Sequence, residues 1–148
     1  MTVSTFTEFD EWQYRVARGE FDFLADTMKV AVLKATWTPN EATNKIWGDI
    51  SAHECTDADY AQITMSGKVI NQDGNGRTVH DCADFDFGDT VDISGKYVVI
   101  YRDNATAGLR YLMGYWDCNE GGGDINSVND DFDFVVNALG IHRYTPRA

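Results

Sequence analysis

Five His and Cys side chains in the sequence could together build a metal site. His53 and Cys55 are separated by one residue. His80 and Cys82 repeat that spacing, and Cys118 lies further along the chain. Residues i and i+2 of a β-strand share a face, so the two pairs could supply a tetrahedral zinc site. Zinc motifs usually place two or more residues between paired ligands, and short motifs often match by chance. The favoured interpretation is three reduced thiols and two exposed histidines, with no metal and no cofactor.

Carboxylate pairs are the other groups that could do chemistry. Acid–base catalysis needs two carboxyl groups whose surroundings separate their pKa values, whereas pairs in an acidic chain are usually solvated. The segment Asn71–Gly76 resembles the start of a calcium loop, but Cys82 stands where that loop requires a glutamate. The sequence contains neither a nucleophile elbow nor a phosphate-binding loop. We therefore predict that the protein is not an enzyme. The carboxylate pairs are Asp57 with Asp59, Asp84 with Asp86, and Asp130 with Asp131.

The composition is that of a folded acidic protein. The chain has 148 residues with 43% hydrophobic and 13% aromatic content, which predicts a single β-rich domain over residues 1–148. Acidic residues number 24 against 12 basic ones, giving a net charge of −12. Nucleic acids and anionic membranes are bound mainly through Lys and Arg, so neither is an expected partner. The sequence has no apolar window of about 18 residues, which predicts no membrane span.

The elements that must position these residues begin with a short helix. Apolar spacings of three and four predict this helix over about residues 8–18, with Thr7 as its N-cap. Its apolar face could dock on a neighbouring protein, because aromatic residues are enriched in binding hot spots. Packing of that face on the chain's own core is the favoured alternative. The candidate interface residues are Phe6, Phe9 and Trp12 near the helix, and Tyr144 and Arg147 at the C-terminal end.

Most of the remaining chain has the pattern of short strands. Asp73–Gly76 is the strongest hairpin signal, because its residues tolerate positive φ. In Arg77–Phe87 the apolar residues Val79, Ala83, Phe85 and Phe87 fall at odd positions. The even positions, His80 among them, are mostly polar and predicted to face solvent. We predict a mainly β fold, an antiparallel β-sandwich or a partly open barrel, with one short N-terminal helix. The predicted strands are Met28–Ala35, Tyr60–Asn71 (interrupted near Gly67), Arg77–Phe87, Val91–Arg102, Leu109–Cys118 and Asp131–Asn137.

Several segments, taken in order, resemble a family of small structural proteins of tailed-phage particles. GKYVVIYRD (Gly95–Asp103) followed by LMGYWDC (Leu112–Cys118) is similar to the family's ARYAVIYKD and LIGYIDF pair. DDFDFVVNALGI (Asp130–Ile141) resembles its GDFTIQWNANGIL strand. The chain departs from the family at Thr56–Gln62, which keeps only the tyrosine of a glycine-rich stretch. Earlier matches are Arg18–Glu20 to KGE, Asp26–Leu33 to DTIKVAL, Thr38–Asn40 to YTPN and, partially, Asp49–Ile50 to SDI.

The resemblance implies a virion structural role, and a capsid decoration or cement protein in particular. Such a protein would bind the outer surface of the major capsid protein lattice and stabilise the head, with self-association on that lattice. It would be assembled in the host cytoplasm and located on the capsid exterior. The alternative is a tail or fibre component that binds a host surface glycan, for which exposed Trp and Tyr rings would provide stacking surfaces.

Overall fold

The computed structural model describes residues 2–144. Its α-helix, α1, runs over Asp10–Ala17, close to the predicted span. Gly19 follows it with a φ of +69°, the left-handed conformation that ends helices. The predicted N-cap is wrong: Phe9 occupies that position without a side-chain cap, because Thr7 lies in a strand that pairs elsewhere.

Twelve short strands account for most of the regular structure among residues 2–144. They are β1 (Thr7–Glu8), β2 (Met28–Leu33), β3 (Ile63–Thr64), β4 (Val69–Gln72), β5 (Thr78–Asp81), β6 (Phe85–Asp86), β7 (Val91–Gly95), β8 (Tyr97–Arg102), β9 (Leu112–Asp117), β10 (Ile125–Asp130), β11 (Asp133–Phe134) and β12 (His142–Tyr144).

The strands form four antiparallel sheets. The largest has the order β1-β9-β8-β2-β3, and the smaller sheets are β12-β5-β4, β10-β7 and β11-β6. The central strands β2, β8 and β9 are almost wholly buried, as expected of runs rich in aliphatic and aromatic residues. The predicted fold class is confirmed: the protein is mainly β, with 36% strand and 12% helix, and is sandwich-like rather than a closed barrel.

Both faces of the five-stranded sheet carry a hydrophobic core. Side chains alternate along β8, so Val98 and Ile100 belong to one cluster while Val99 and Tyr101 belong to the other. The smaller sheets cover the first face, and the segment between β2 and β3 covers the second. The first cluster includes Trp12, Phe85, Ile93, Met113 and Trp116, and the second includes Phe9, Leu33, Trp37, Trp47 and Ile50.

The predicted hairpin joins β4 to β5. Its turn is closed by a hydrogen bond of 3.0 Å from the Asp73 amide to the Arg77 carbonyl. The Asp73 carboxylate also accepts hydrogen bonds from the amides of Asn75 and Arg77. Gly76 has a φ of +73°, so this turn uses the conformational freedom that the sequence predicts.

Gly76→Ala is expected to lower the free energy of unfolding by about 1 kcal/mol, because a Cβ is strained at this positive φ. The added methyl group would meet open space, so the cost is purely conformational. Gly74→Ala is the matched control, since Gly74 also faces open space but has no positive φ. Urea denaturation of both variants measures the difference. Equal stabilities would contradict the conformational explanation.

Three predicted strands differ from the structure. The segment 91–102 is divided at Lys96 into β7, which pairs with β10, and β8, which pairs with β2 and β9. The segment 77–87 is divided into β5, which pairs with β4 and β12, and β6, which pairs with β11. The predicted alternation is wrong at His80, which is buried rather than exposed because β5 turns this ring toward Trp12 and Phe23. The predicted strand 131–137 is reduced to β11, and the polar strand β10 precedes it without having been predicted.

Candidate binding surface

The N-terminal segment lies along the edge of the five-stranded sheet. β1 pairs with β9, and the Ser4 amide donates to the Asp117 carbonyl at 2.8 Å. Phe6 packs its ring on Trp116, with the ring centroids 4.6 Å apart. This position depends on Gly114, where an added Cβ would lie 2.2 Å from the Phe6 ring. A glycine in the buried strand therefore creates the site at which the N-terminal aromatic ring sits.

A surface groove of about 640 Å³ separates this segment from the C-terminal strands. We call it the terminal groove, because residues from both ends of the chain form it. Phe6, Phe134 and Ile141 provide apolar walls, and the exposed side chain of Val135 stands at the opening. Its other lining residues are Val3, Ser4, Thr5, Trp116, Asp133, Asn137, Gly140, His142 and Arg143.

A polar network holds the two ends of the chain together behind this groove. The Trp12 indole donates to the Tyr144 hydroxyl at 2.7 Å, and that hydroxyl donates to the Glu8 carboxylate at 2.9 Å. Glu8 also accepts a hydrogen bond from Gln13 at 2.8 Å, and its carboxylate lies 3.6 Å from the His142 ring nitrogen. Burial raises the pKa of the Tyr144 hydroxyl, and the nearby Glu8 charge adds to that effect. Tyr144 is therefore a neutral donor at physiological pH.

The structure separates the predicted interface residues into three groups. Phe9 and Trp12 are 0% and 1% exposed, so they are core residues and not surface anchors. The helix face packs on the chain's own sheets, which is the alternative that the sequence analysis favoured. Phe6 is half-buried in the wall of the terminal groove, and Tyr144 is half-buried in the network. Arg147 lies outside the described residues.

One acidic residue, Asp133, lines the terminal groove. Asp133 of β11 is directly opposite Asp86 of β6. Partial desolvation raises the pKa of Asp133, and repulsion from Asp86 and Asp131 raises it further. Like charges at directly opposite positions of two strands repel each other, so the pairing of Asp86 with Asp133 is electrostatically destabilising. No local sequence pattern predicts this pairing, because Asp86 and Asp133 come from distant segments of the chain.

The residues of the zinc alternative occupy separate environments. Cys55 is buried and donates from its thiol to Asp57 at 3.2 Å, whereas His53 is half-buried and within 3.0 Å of the Thr36 hydroxyl. Burial raises the pKa of both Cys82 and Cys118 to about 12, so these thiols are poor sources of thiolate. Within residues 2–144, no group of three or more His, Cys, Asp or Glu side chains is arranged to hold a metal ion.

The aromatic surface of the protein is small. All four tryptophans are buried, and Tyr14 on α1 is the one exposed aromatic residue within the described part of the chain. The ring of Tyr14 lies beside Arg15 and Arg18, with guanidinium-to-centroid distances of 5.2 and 5.5 Å. These cation–π contacts leave less of the Tyr14 ring face accessible to a ligand. No helix within residues 2–144 is long and apolar enough to cross a membrane.

Comparisons of the chain with protein-family models, with curated proteins and with solved structures found no match.

Proposed function

We propose that this chain is a structural protein of a tailed-phage particle, a capsid decoration or cement protein on the outer surface of the major capsid protein lattice. Its role there is to stabilise the head by binding, without catalysis. The terminal groove is the observation that carries the binding role, because it is a recess with apolar walls in a protein of high net negative charge. The virion assignment rests on the sequence resemblance, whose best-matched segments supply the central strands β2, β8 and β9.

The terminal groove has the features of a side-chain-binding recess. Its aromatic and aliphatic walls favour burial of an apolar side chain, and Asp133 and His142 at its sides can orient a polar neighbour. Burial of one Val- or Leu-sized side chain contributes about 1.5–3 kcal/mol. That is too little for a stable complex on its own. Many copies of such a contact on a repeating lattice would still hold the protein in place, if each copy also engages a neighbour.

The charge of the chain favours a basic partner surface. A net charge of −12 gives the protein a field that attracts positively charged patches and accelerates its approach to them. The same field repels nucleic acid, which is appropriate for a protein on the outside of a DNA-filled shell. Binding to the capsid should therefore weaken as the salt concentration rises.

The exposure of the aromatic residues favours the capsid over the glycan alternative. Sugar-binding sites stack a pyranose ring on an accessible aromatic face. The four tryptophans that could have served this purpose are buried in the two cores. Tyr14 remains accessible, but it is a single ring that shares its faces with two arginines.

Placing a charged side chain at the opening of the terminal groove tests whether the groove binds the capsid. Val135→Asp is expected to reduce binding to capsid shells that lack the protein by about tenfold or more, because the added carboxylate would lose water on docking. Val128→Asp is the matched control: Val128 is 74% exposed and Val135 is 71% exposed, but Val128 lies on β10 away from the groove. Co-sedimentation of each purified variant with the shells measures the effect. Equal binding of the two variants would remove the groove from the proposal.

The location is tested on intact particles. Electron microscopy of the phage is expected to show the chain at a high copy number, regularly arranged on the outside of the head. Particles that lack the protein would refute a virion role. A few copies at the tail would favour the alternative, a tail or fibre component, and a glycan-binding assay would then be the next measurement.

A further inference from the structure

The strand β4 is an exposed edge of the three-stranded sheet. All four of its residues, Val69–Gln72, are exposed, and its strand partner in the sheet β12-β5-β4 is β5 alone. Proteins normally protect such edges with charged side chains, proline or bulges, because an unpaired edge is a template for another strand. Val69–Gln72 contains neither charge nor proline, and its pairing with β5 is regular.

The hydrogen bonding of the hairpin shows which backbone groups point outward. The Asp73 amide bonds to Arg77, and in an antiparallel pair the bonded positions alternate. The inward positions are therefore Asn71, opposite Val79, and Val69, opposite Asp81. Ile70 and Gln72 are left with amide and carbonyl groups directed away from β5. The edge thus offers two donors and two acceptors at alternating residues.

Charges near the edge are already engaged within the chain. Lys68, which directly precedes β4, donates its ammonium group to the Asp26 carbonyl. At the other end, Asp73 is paired with Arg77 at 2.6 Å. Neither residue therefore provides a free charge that would protect the edge from pairing with another strand. The strand itself therefore presents no side-chain charge to a second copy, whereas the net charge of −12 weakens the association.

We infer that β4 is an interface between two copies of this chain, which pair their β4 strands antiparallel about a two-fold axis at Asn71. In this register Ile70 of each copy lies opposite Gln72 of the other, so every outward amide and carbonyl finds a partner. The result is a continuous six-stranded sheet. An isologous contact of this kind uses one patch on both subunits, which fits a strand with the same neutral character along its length.

The contact is small, so the dimer is weak in solution. Four residues on each side bury much less than the roughly 1,200 Å² of a specific stable interface. The dissociation constant is therefore expected in the high micromolar to millimolar range, about 10⁻⁴–10⁻³ M. This inference concerns the purified protein and stands independently of a virion role. Loss of capsid binding by Val135→Asp and loss of self-pairing at β4 are separable results.

A disulfide trap tests the register directly. In the proposed pairing Asn71 faces Asn71 of the second copy at a non-bonded position, with Cα atoms about 4.5 Å apart, which suits a disulfide. Asn71→Cys is therefore expected to form a covalent dimer with oxidised glutathione, which accepts the two electrons. Gln72→Cys is the matched control, because each thiol would lie one residue from the axis, on opposite sides of it. The two thiols would therefore be offset by two residues along the strand and lie beyond the bridging limit of about 7 Å. Wild type controls for the three native cysteines.

The expected result is cross-linking about tenfold faster for Asn71→Cys than for Gln72→Cys, as disulfide geometry requires. A non-covalent test uses Ile70→Pro, which removes an outward amide that β5 does not use, with Ile70→Thr as a control that keeps it. Sedimentation equilibrium up to about 1 mM should show self-association at least tenfold weaker for the proline variant. Equal cross-linking of the two cysteine variants would overturn the register. Wild-type protein that stays monomeric throughout would overturn the interface.

Discussion

Trp12→Ala is expected to reduce the free energy of unfolding by about 3–5 kcal/mol, the usual cost of truncating a fully buried tryptophan. The side chain is 1% exposed and packs edge-on against Phe21, with ring centroids 4.4 Å apart. The truncation also removes the indole donor to Tyr144, so the hydroxyl that links the C-terminal strand to Glu8 loses one partner. Because total stabilities are typically about 5–15 kcal/mol, this variant should be close to unfolding at room temperature.

The matched control is Tyr14→Ala, two residues further along the same helix. Tyr14 is 52% exposed, so its truncation is expected to change the stability by no more than about 0.5 kcal/mol. Urea denaturation followed by tryptophan fluorescence gives both values. Similar small losses for the two variants would mean that Trp12 is not a core residue, and would restore its candidacy as an interface anchor.

The sequence predicted the elements whose signals are local. The helix follows from apolar spacings around Trp12, and the β4–β5 turn follows from Asp73–Gly76, since both depend on residues close in the chain. The central strands were also predictable, because Tyr97–Arg102 is a nearly continuous apolar run. What these patterns do not contain is the identity of the surface that each apolar face packs against.

The terminal groove illustrates that limit. Apart from Trp116, its walls come from residues 3–6 and from residues 133–143, which meet because β1 pairs with β9 and β12 pairs with β5. No local pattern predicts such a meeting. Phe6 was identified as a candidate by its residue type and position, and the same reasoning selected Phe9 and Trp12, which are buried. Distinguishing them required knowing that Gly114 leaves room for one ring at the sheet edge.

The stability of the protein is expected to fall as the pH is lowered from 7.5 to 5, and His80 is expected to be a principal cause. This ring is 8% exposed, and its Nδ1 atom is buried without a hydrogen-bond partner among the described residues. Trp12, Phe23 and Tyr144 surround it edge-on. Burial lowers the pKa of His80, and the neighbouring charge of His142 lowers it further, whereas Glu8 acts in the opposite direction.

The sign of the effect follows from proton linkage. In the unfolded chain a histidine has a pKa of about 6.5, so below that pH the unfolded state binds a proton that the folded state does not. The contribution of neutral His80 to the folding free energy is therefore fully present above about pH 6.5. It is lost progressively as the pH falls toward the lowered pKa that His80 has in the folded state. One proton contributes a slope of at most about 1.4 kcal/mol per pH unit. Asp57 and Asp73 have pKa values that their partners lower, so the stability that these ionised carboxylates contribute is lost only at lower pH.

His80→Phe isolates this contribution, because it keeps an aromatic ring among the same neighbours and removes the proton-binding nitrogens. Urea denaturation at several pH values between 7.5 and 5 should give a shallower loss of stability for this variant than for wild type. His53→Gln is the control, since His53 is half-buried beside the Thr36 hydroxyl and lies outside the aromatic cluster. It should retain the wild-type slope. If His80→Phe retains that slope as well, the acid sensitivity must arise elsewhere, and the Glu8–His142 pair that joins the two ends of the chain is the next group to vary.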